Sequence, residues 1–408
     1  MSEANALNQH EARASRSPVD GLDLLFFVPY VIWLSYCLFS RSFFAQTMNE
    51  IPYLAIDNIF RVVAGLLLVR ELCQAHRMAD SPKMTPKSMV FAVLAAFVCG
   101  YGLLDRNSQK LLLDLFLIVA ARNVDKDRLI SCSFFCLSIC LVIIICSSLL
   151  NVIPNFMLIQ STRVRYCLGF RYCLVPSNIL FAITCLWCLV KEERMRVIEA
   201  GAFLVMNAIM YVLTDSRLVF FASVAVIAWF LLHRRLEAFA RRFEALARVG
   251  RTLLANSTYV CIAITIVVTA VYGLALIGSP DFASHFGAMF GKRVMRGYEG
   301  LMTMGVRLSG QAVTWVGHGL AADGTSSVAL GNTYNYVDNI YLHVLIEQGL
   351  LYAAFHFVTL NLLSRRAVAR RAMGLAVVLA AVAFCGLLDD HAIASYYNPF
   401  ILLVLNGL

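Results

Sequence analysis

Apolar residues in this chain come in long continuous blocks, with little of the alternation or one-sided striping that soluble strands and helices show. The blocks fall at 24–40, 52–72, 88–104, 108–121, 129–151, 173–190, 197–213, 217–232, 256–277, 338–362, 372–388 and 392–407. Most are long enough to cross a hydrocarbon layer of roughly 30 Å. No water is present there to take up backbone hydrogen bonds, so such blocks must be helical. The pattern predicts an all-α polytopic membrane protein with about 12 transmembrane helices (11–12). The 108–121 and 392–407 blocks are short, and the first carries Asp114, which leaves a tilted or re-entrant course open for both. The chain then divides into an N-terminal tail (1–23), a first helical region (24–277), a large loop (278–337) and a closing helical region (338–408). No small-x-small cleavage pattern follows the first block, so a retained helix is expected rather than a signal peptide.

Composition fits this picture. Only 14% of residues are charged and 60% are apolar, too little charge to cover a soluble surface of this size. Orientation follows from Lys and Arg, which gather in alternate loops: Arg77, Lys83 and Lys87 in 73–87; Arg122, Lys126 and Arg128 in 122–128; Lys191, Arg194 and Arg196 in 191–196; a run from Arg234 to Arg251 in 233–255; and Arg365, Arg366, Arg370 and Arg371 in 363–371. With Arg13 and Arg16 in the tail, the positive-inside rule makes these loops and both termini cytosolic. The net charge of +9 is thereby accounted for by loops that touch anionic head groups, and no basic stripe interleaved with aromatics points to nucleic acid. The 13 cysteines fall mostly inside apolar blocks and are expected to pack as small apolar side chains, without a metal cluster. Cys167, in the 152–172 loop, and Cys173, at the start of the next block, can both lie outside the membrane, where a disulfide is open to them.

The other loops face outward: 41–51, 105–107, 152–172, 214–216, 278–337 and 389–391. Two are long, and the sixty-residue segment is expected to have its own fold or a function. The informative residues are cations where the orientation rule disfavours them: Arg163, Arg165 and Arg171; Arg217 beside Asp215; and Lys292, Arg293, Arg296 and Arg307. Singly such residues snorkel; as a set from three loops they suit phosphate, because the guanidinium fork donates two parallel hydrogen bonds and stays charged. Several of them converging at the outer leaflet would make a diphosphate site that works by guanidinium, with no metal. Phe282, Phe286, Met289 and Phe290 are spaced to lie on lipid, with Lys292, Arg296, Glu299 and Thr303 following on one side, which predicts one or two short interfacial helices. Asp338 and Asn339 precede an apolar block, where they either cap a helix or, for Asp338, face a polar cavity as a base. Glu347 lies within that block and must meet a partner or a cavity. Asp389, Asp390 and His391 form the last external turn and either pair with the arginines or stay solvated.

These motifs, in this order, resemble the Wzy-type polysaccharide polymerases of the wider O-antigen polymerase and ligase superfamily. Arg163-x-Arg165 with Leu168-Gly169-Phe170, Pro176 and Asn178 resembles the external arginine loop of that family, and Thr214-Asp215-Ser216-Arg217 its Ser-Arg turn. Arg293 with Gly297-Tyr298-Glu299-Gly300-Leu301, then Gly317-His318-Gly319, then Asp338-Asn339-x-Tyr341-Leu342 with Gly349, resembles its large loop from start to exit. The ligases of the superfamily tend to carry His where this chain has Asp338. The resemblance implies a glycosyltransferase that joins undecaprenyl-diphosphate-linked oligosaccharide repeats into capsule, exopolysaccharide or O-antigen at the outer face of a bacterial plasma membrane. It needs no cofactor, and a chain-length regulator and a flippase would be its partners. It also implies roles: Asp338, Glu299 and Arg217 in catalysis, and Arg163, Arg165, Arg171, Lys292, Arg293, Arg296, Arg307, His318, Asn339 and Tyr341 in holding diphosphate or glycan. Two alternatives stand beside it. A ligase-like transferase would leave long unattached glycans when disabled, where a polymerase would leave single repeats. A transporter of lipid-linked glycans would place its charges at membrane depth, for which Asp57, Arg61 and Asp114 are the available residues.

Overall fold

The computed structural model describes residues 21–51, 56–77, 109–160, 163–290, 292–321, 323–326, 328, 331–390 and 394–406. The expected span at 88–104, residues 1–20 of the N-terminal tail, most of loop 73–87 and His391 lie outside the described residues. The chain is mostly helical. Among the described residues, four helices are long and apolar enough to cross a membrane: Gly21–Ser40, Lys126–Leu149, Val197–Thr214 and Ser257–Gly278. Val175–Lys191, Met373–Cys385 and the 217–233 part of Arg217–Arg242 are apolar but shorter.

Val175–Lys191 is the central post. Nearly every residue from Val175 to Leu189 is buried, because Lys126–Leu149, Val197–Thr214, Arg217–Arg242 and Met373–Cys385 all pack on it. Pro176 sits in its first turn, where a missing N–H costs nothing. In lipid, helices gain little from apolar contact alone, so polar bolts matter, at about 0.6 kcal/mol each. Ser177 pairs with Thr214 at 2.7 Å, Asn207 donates to Thr184 at 3.0 Å, and Tyr30 pairs with Ser133 at 2.7 Å.

Three expectations are corrected. The 338–362 block is two helices, Ile340–Glu347 and Gly349–Ala369. Gly349 adopts φ +86°, a left-handed conformation that turns the chain between them. The opened backbone is satisfied from the long loop: Gln311 N–H donates to the Glu347 carbonyl at 3.0 Å, and the Leu350 and Leu351 amides donate to the Arg307 and Leu308 carbonyls at 3.0 and 3.1 Å. Second, 392–407 forms no α-helix over its described part. Pro399 has no amide to donate, so the segment runs as turns and the 3-10 helix Pro399–Leu403. It is wedged in the core, where Asn406 Nδ2 donates to the carbonyls of Ala121 and Val124. Third, loop 233–255 is helical: Arg217–Arg242 continues into it and Glu244–Ala255 follows, with Leu246, Val249 and Leu253 exposed at helical spacing. Loop 41–51 likewise holds the short helix Phe44–Glu50.

The connections fall at two ends. At one end, Phe43 N–H donates to the Gly169 carbonyl (2.9 Å), Arg171 N–H to Arg41 (3.0 Å), Leu320 N–H to Arg171 (2.6 Å) and Ile340 N–H to Gly386 (2.9 Å). At the other, Arg128 pairs with Asp23 at 2.7 Å and Arg122 with Glu71 at 2.6 Å.

The close approach at the helix break makes a prediction. A Cβ on Gly349 would lie 2.2 Å from the Gly310 amide nitrogen, on top of its left-handed backbone. Gly349→Ala should destabilise the protein by roughly 1–3 kcal/mol, read as a lowered melting temperature in detergent. Gly201→Ala, where a Cβ meets nothing within 4 Å, should not. Equal melting of the two variants would contradict the docking of loop on break.

Candidate functional site

The end where 41–51, 152–172 and the long segment meet encloses a cavity of about 500 Å³. Its floor is Tyr36 and Ser40 at the end of the first helix and Leu174 and Val175 at the start of the central post. Its walls carry charge of both signs: Arg41, Arg171 and Arg293 against Asp338, Asp389 and Asp390, with His318, Tyr172, Tyr334 and Tyr336 between them.

The acidic side is held by hydrogen bonds. Arg293 Nε lies 3.2 Å from Asp338 Oδ2. The Tyr336 hydroxyl donates to Asp390, and Asn178 Nδ2 donates to Asp389 at 3.1 Å. Burial pushes the Asp338 carboxyl up to about 6; Arg293 pulls it down, while Asp390 and Asp389 push it further up. Asp389 and Asp390 face the same small space and so oppose a further negative charge on Asp338.

On the basic side, Arg41 opens onto the cavity while protein closes round it. Nearby tyrosines and Asp390 hold its guanidinium charged against the cost of burial. Arg171 is half-buried, and among the described residues its Nε has no hydrogen-bond partner. Arg296 stacks on the Tyr334 ring, 3.7 Å from its centre. His318 lies against the same ring at 4.9 Å; burial first, then Arg296 and Arg165, lower its pKa and favour the neutral imidazole.

A second cluster flanks this cavity. Strands Met157–Gln160 and Arg163–Tyr166 form an antiparallel hairpin. The two-residue period of a strand puts Arg163 and Arg165 on one face. Both reach Asp215, at 3.4 and 3.7 Å, and Arg217 reaches the same carboxylate at 3.2 Å. Asp215 ends the Val197–Thr214 helix in a left-handed turn, φ 49°. Three guanidiniums therefore share one carboxylate, and Arg165 Nε is buried without a partner among the described residues.

The sequence-based candidates thus sort into three groups. Arg171, Arg293, His318 and Asp338 line the cavity, with Arg296 beside them. Arg163, Arg165 and Arg217 surround Asp215. Lys292, Glu299 and Arg307 are exposed and lie outside the cavity lining. Asn339 and Tyr341 serve the fold. The Asn339 side chain accepts from the Tyr341 and Leu342 amides and donates to Thr265 and Leu387. Tyr341 is buried and donates to the Ala383 carbonyl at 2.7 Å. Glu347 finds its partners in Trp315 Nε1 at 3.0 Å and His343 Nε2 at 2.9 Å. Asp114 accepts from Ser395 at 2.6 Å and from Trp33, a use in packing. Arg41 was missed, although the orientation rule that singled out Arg163, Arg171 and Arg293 applies equally to it, at the start of loop 41–51.

Among the described residues no group of three His, Cys, Asp or Glu side chains is placed to hold a metal ion. Comparison with family models, with curated proteins and with solved structures finds no match for this chain.

Cys167 and Cys173 are free thiols, both fully buried beside this site. Burial raises Cys167 to about 12. A charged maleimide should therefore leave both unlabelled at neutral pH until the protein is unfolded, as mass spectrometry would show. Labelling of either in the native state would contradict their placement.

Proposed function

We propose that this chain is a polymerase joining polyprenyl-diphosphate-linked oligosaccharide repeats, of the undecaprenyl type, into surface polysaccharide. On this reading about 12 spans cross a plasma membrane, with both termini cytosolic, and the cavity opens at the outer face. The observation that carries it is the meeting of Arg41, Arg171 and Arg293, from three separate segments, with Asp338 around one cavity.

The chemistry follows from that juxtaposition. The acceptor sugar's hydroxyl oxygen forms a bond to the donor's anomeric carbon, and the bond from that carbon to the diphosphate oxygen breaks. The bonding pair leaves with the diphosphate, and the hydroxyl proton passes to Asp338. Negative charge grows on the leaving group as the bond opens, so fixed guanidiniums stabilise the transition state more than the ground state. One such contact in a preorganised site is worth about 3 kcal/mol. Arg171, with a buried Nε left open, has donor capacity to give. Asp338 stands beside this cationic wall with its pKa raised to about 6, so it is ionised and able to accept a proton near neutral pH. The Asp215 cluster sits next to the cavity and suits the more distant charge of a bound glycan or second carrier.

Purified protein should lengthen a lipid-linked oligosaccharide without added metal. The rate should rise as pH climbs through about 6, where Asp338 loses its proton, and then level off. Asp338→Asn should cut turnover by roughly 10²-fold or more and remove that limb. Polymerisation by Asp338→Asn at the normal rate would take Asp338 out of the mechanism. Failure of the wild type to extend any lipid-linked glycan would overturn the assignment.

A further inference from the structure

The opposite end of the molecule carries a second built cavity. The central post leads from one to the other: Val175 lines the first, and Leu189 lines the second, about 21 Å further along at 1.5 Å per residue. This cavity is small, about 130 Å³. Its floor is apolar, from Ile130, Leu189, Trp229 and Phe230, and its rim is charged.

The polar groups on that rim are open to a ligand: Glu192 and Arg371 are exposed and Lys126 is half-buried. Lys126, Arg371 and Glu192 all line the space, and among the described residues none of the three forms an ion pair. His233 Nδ1 lies 2.8 Å from the Phe230 carbonyl oxygen, which can only accept, so Nδ1 carries a proton. Its Nε2 is buried and, among the described residues, bonded to nothing. The remaining wall is Ala372 to Leu375, the start of the Met373–Cys385 helix, whose first amides have no partner within the helix. Glu192 and Arg371 also hold left-handed backbone, φ 45° and 60°. Non-glycine residues pay for that conformation, and here two of them face one space.

The cavity therefore offers two kinds of group to a ligand. Lys126, Arg371 and the helix-start amides call for an anion, and the helix dipole adds to this. Glu192 and the Nε2 lone pair of His233 call for a hydrogen-bond donor, best a cationic one. The volume is well below the 300–1,000 Å³ of sites that take drug-sized ligands, which excludes a glycan and leaves a compact zwitterion. We propose that this cavity binds a phospholipid head group with a primary ammonium, as in phosphatidylethanolamine. The phosphodiester faces Lys126, Arg371 and the Met373–Cys385 helix start; the ammonium donates to Glu192 and His233 Nε2; the acyl chains leave over the apolar helices. The site joins four helices at the end remote from the first cavity and pins them to one leaflet. It depends on the chain lying in a bilayer and is independent of the glycan-joining reading.

The test is a titration of the full-length protein in non-ionic detergent, read as melting temperature. The probes are short-chain phosphatidylethanolamine, phosphatidylglycerol, phosphatidylcholine and inorganic phosphate. Phosphatidylethanolamine should raise the melting temperature by several degrees at concentrations where phosphatidylcholine, which has no N–H to donate, raises it little. Lys126→Gln with Arg371→Gln should abolish the shift. Glu192→Gln should keep a shift but bring phosphatidylethanolamine down to the level of phosphatidylglycerol. All of these rim residues reach solvent or lie half-buried, and unchanged melting of each variant without lipid checks that it folds. Equal shifts with all three lipids, or shifts that survive the double substitution, would overturn the proposal. A full shift with inorganic phosphate alone would overturn the lipid assignment in favour of a free anion.

Discussion

The break between Glu347 and Gly349 is the constraint from which the rest of the structure follows. A helix interrupted in an apolar setting exposes carbonyls and amides that water cannot reach, and each unmet group costs several kcal/mol. The chain answers with its own long loop. Gln311 and the carbonyls of Arg307 and Leu308 close the break, and Gly310 against Gly349 permits the contact. Once seated, the loop has little choice in where its remaining residues go. Trp315 reaches Glu347 and stacks on His343, with ring centres 4.5 Å apart. Tyr336 reaches Asp390, and Asp338 is delivered to the cavity facing Arg293.

The same seating explains why a mixed-charge cavity can persist beside apolar helices. Burying an isolated charge is prohibitive, while opposite charges that are hydrogen-bonded to one another are tolerated. Arg293 with Asp338, Arg41 close to Asp390, and three guanidiniums on Asp215 keep each cluster near balance yet leave spare donors, Nε of Arg171 and of Arg165. An arrangement of that kind is ready for an anion without needing one to fold. The second cavity works differently: Lys126, Arg371 and Glu192 at its rim form no ion pairs among the described residues and keep their charge by reaching solvent.

Much of this could be read from the sequence where a single local rule governs. Apolar block length placed Gly21–Ser40, Lys126–Leu149, Val175–Lys191, Val197–Thr214, Ser257–Gly278 and Met373–Cys385 to within a few residues, because in lipid the backbone has no alternative. Cations in loops where the orientation rule disfavours them marked Arg171 and Arg293, and a carboxylate at the start of an apolar block marked Asp338. What escaped was set by tertiary contact. Gly349 looks like any glycine in an apolar run until Gly310 and Gln311 arrive from forty residues away. Pro399 and Asn398 end regular structure in a block whose composition alone reads as a span. Asn339 carries the same chemistry as a ligand and as a cap; only its bonds to the Tyr341 and Leu342 amides assign it to the fold. Arg41 hid at the edge of the first span, where snorkelling is the ordinary explanation for an arginine.

The central claim is that guanidinium groups from distant segments hold one diphosphate without a metal ion. Binding of a short-chain polyprenyl diphosphate to the purified protein, measured by calorimetry in the presence of a chelator, tests it most directly. The account predicts micromolar or tighter binding that falls by roughly tenfold or more, at about 1.4 kcal/mol per tenfold, with either Arg171→Gln or Arg293→Gln, and little effect from Arg307→Gln. Binding that needs a divalent cation, or that is indifferent to Arg171 and Arg293, would contradict it.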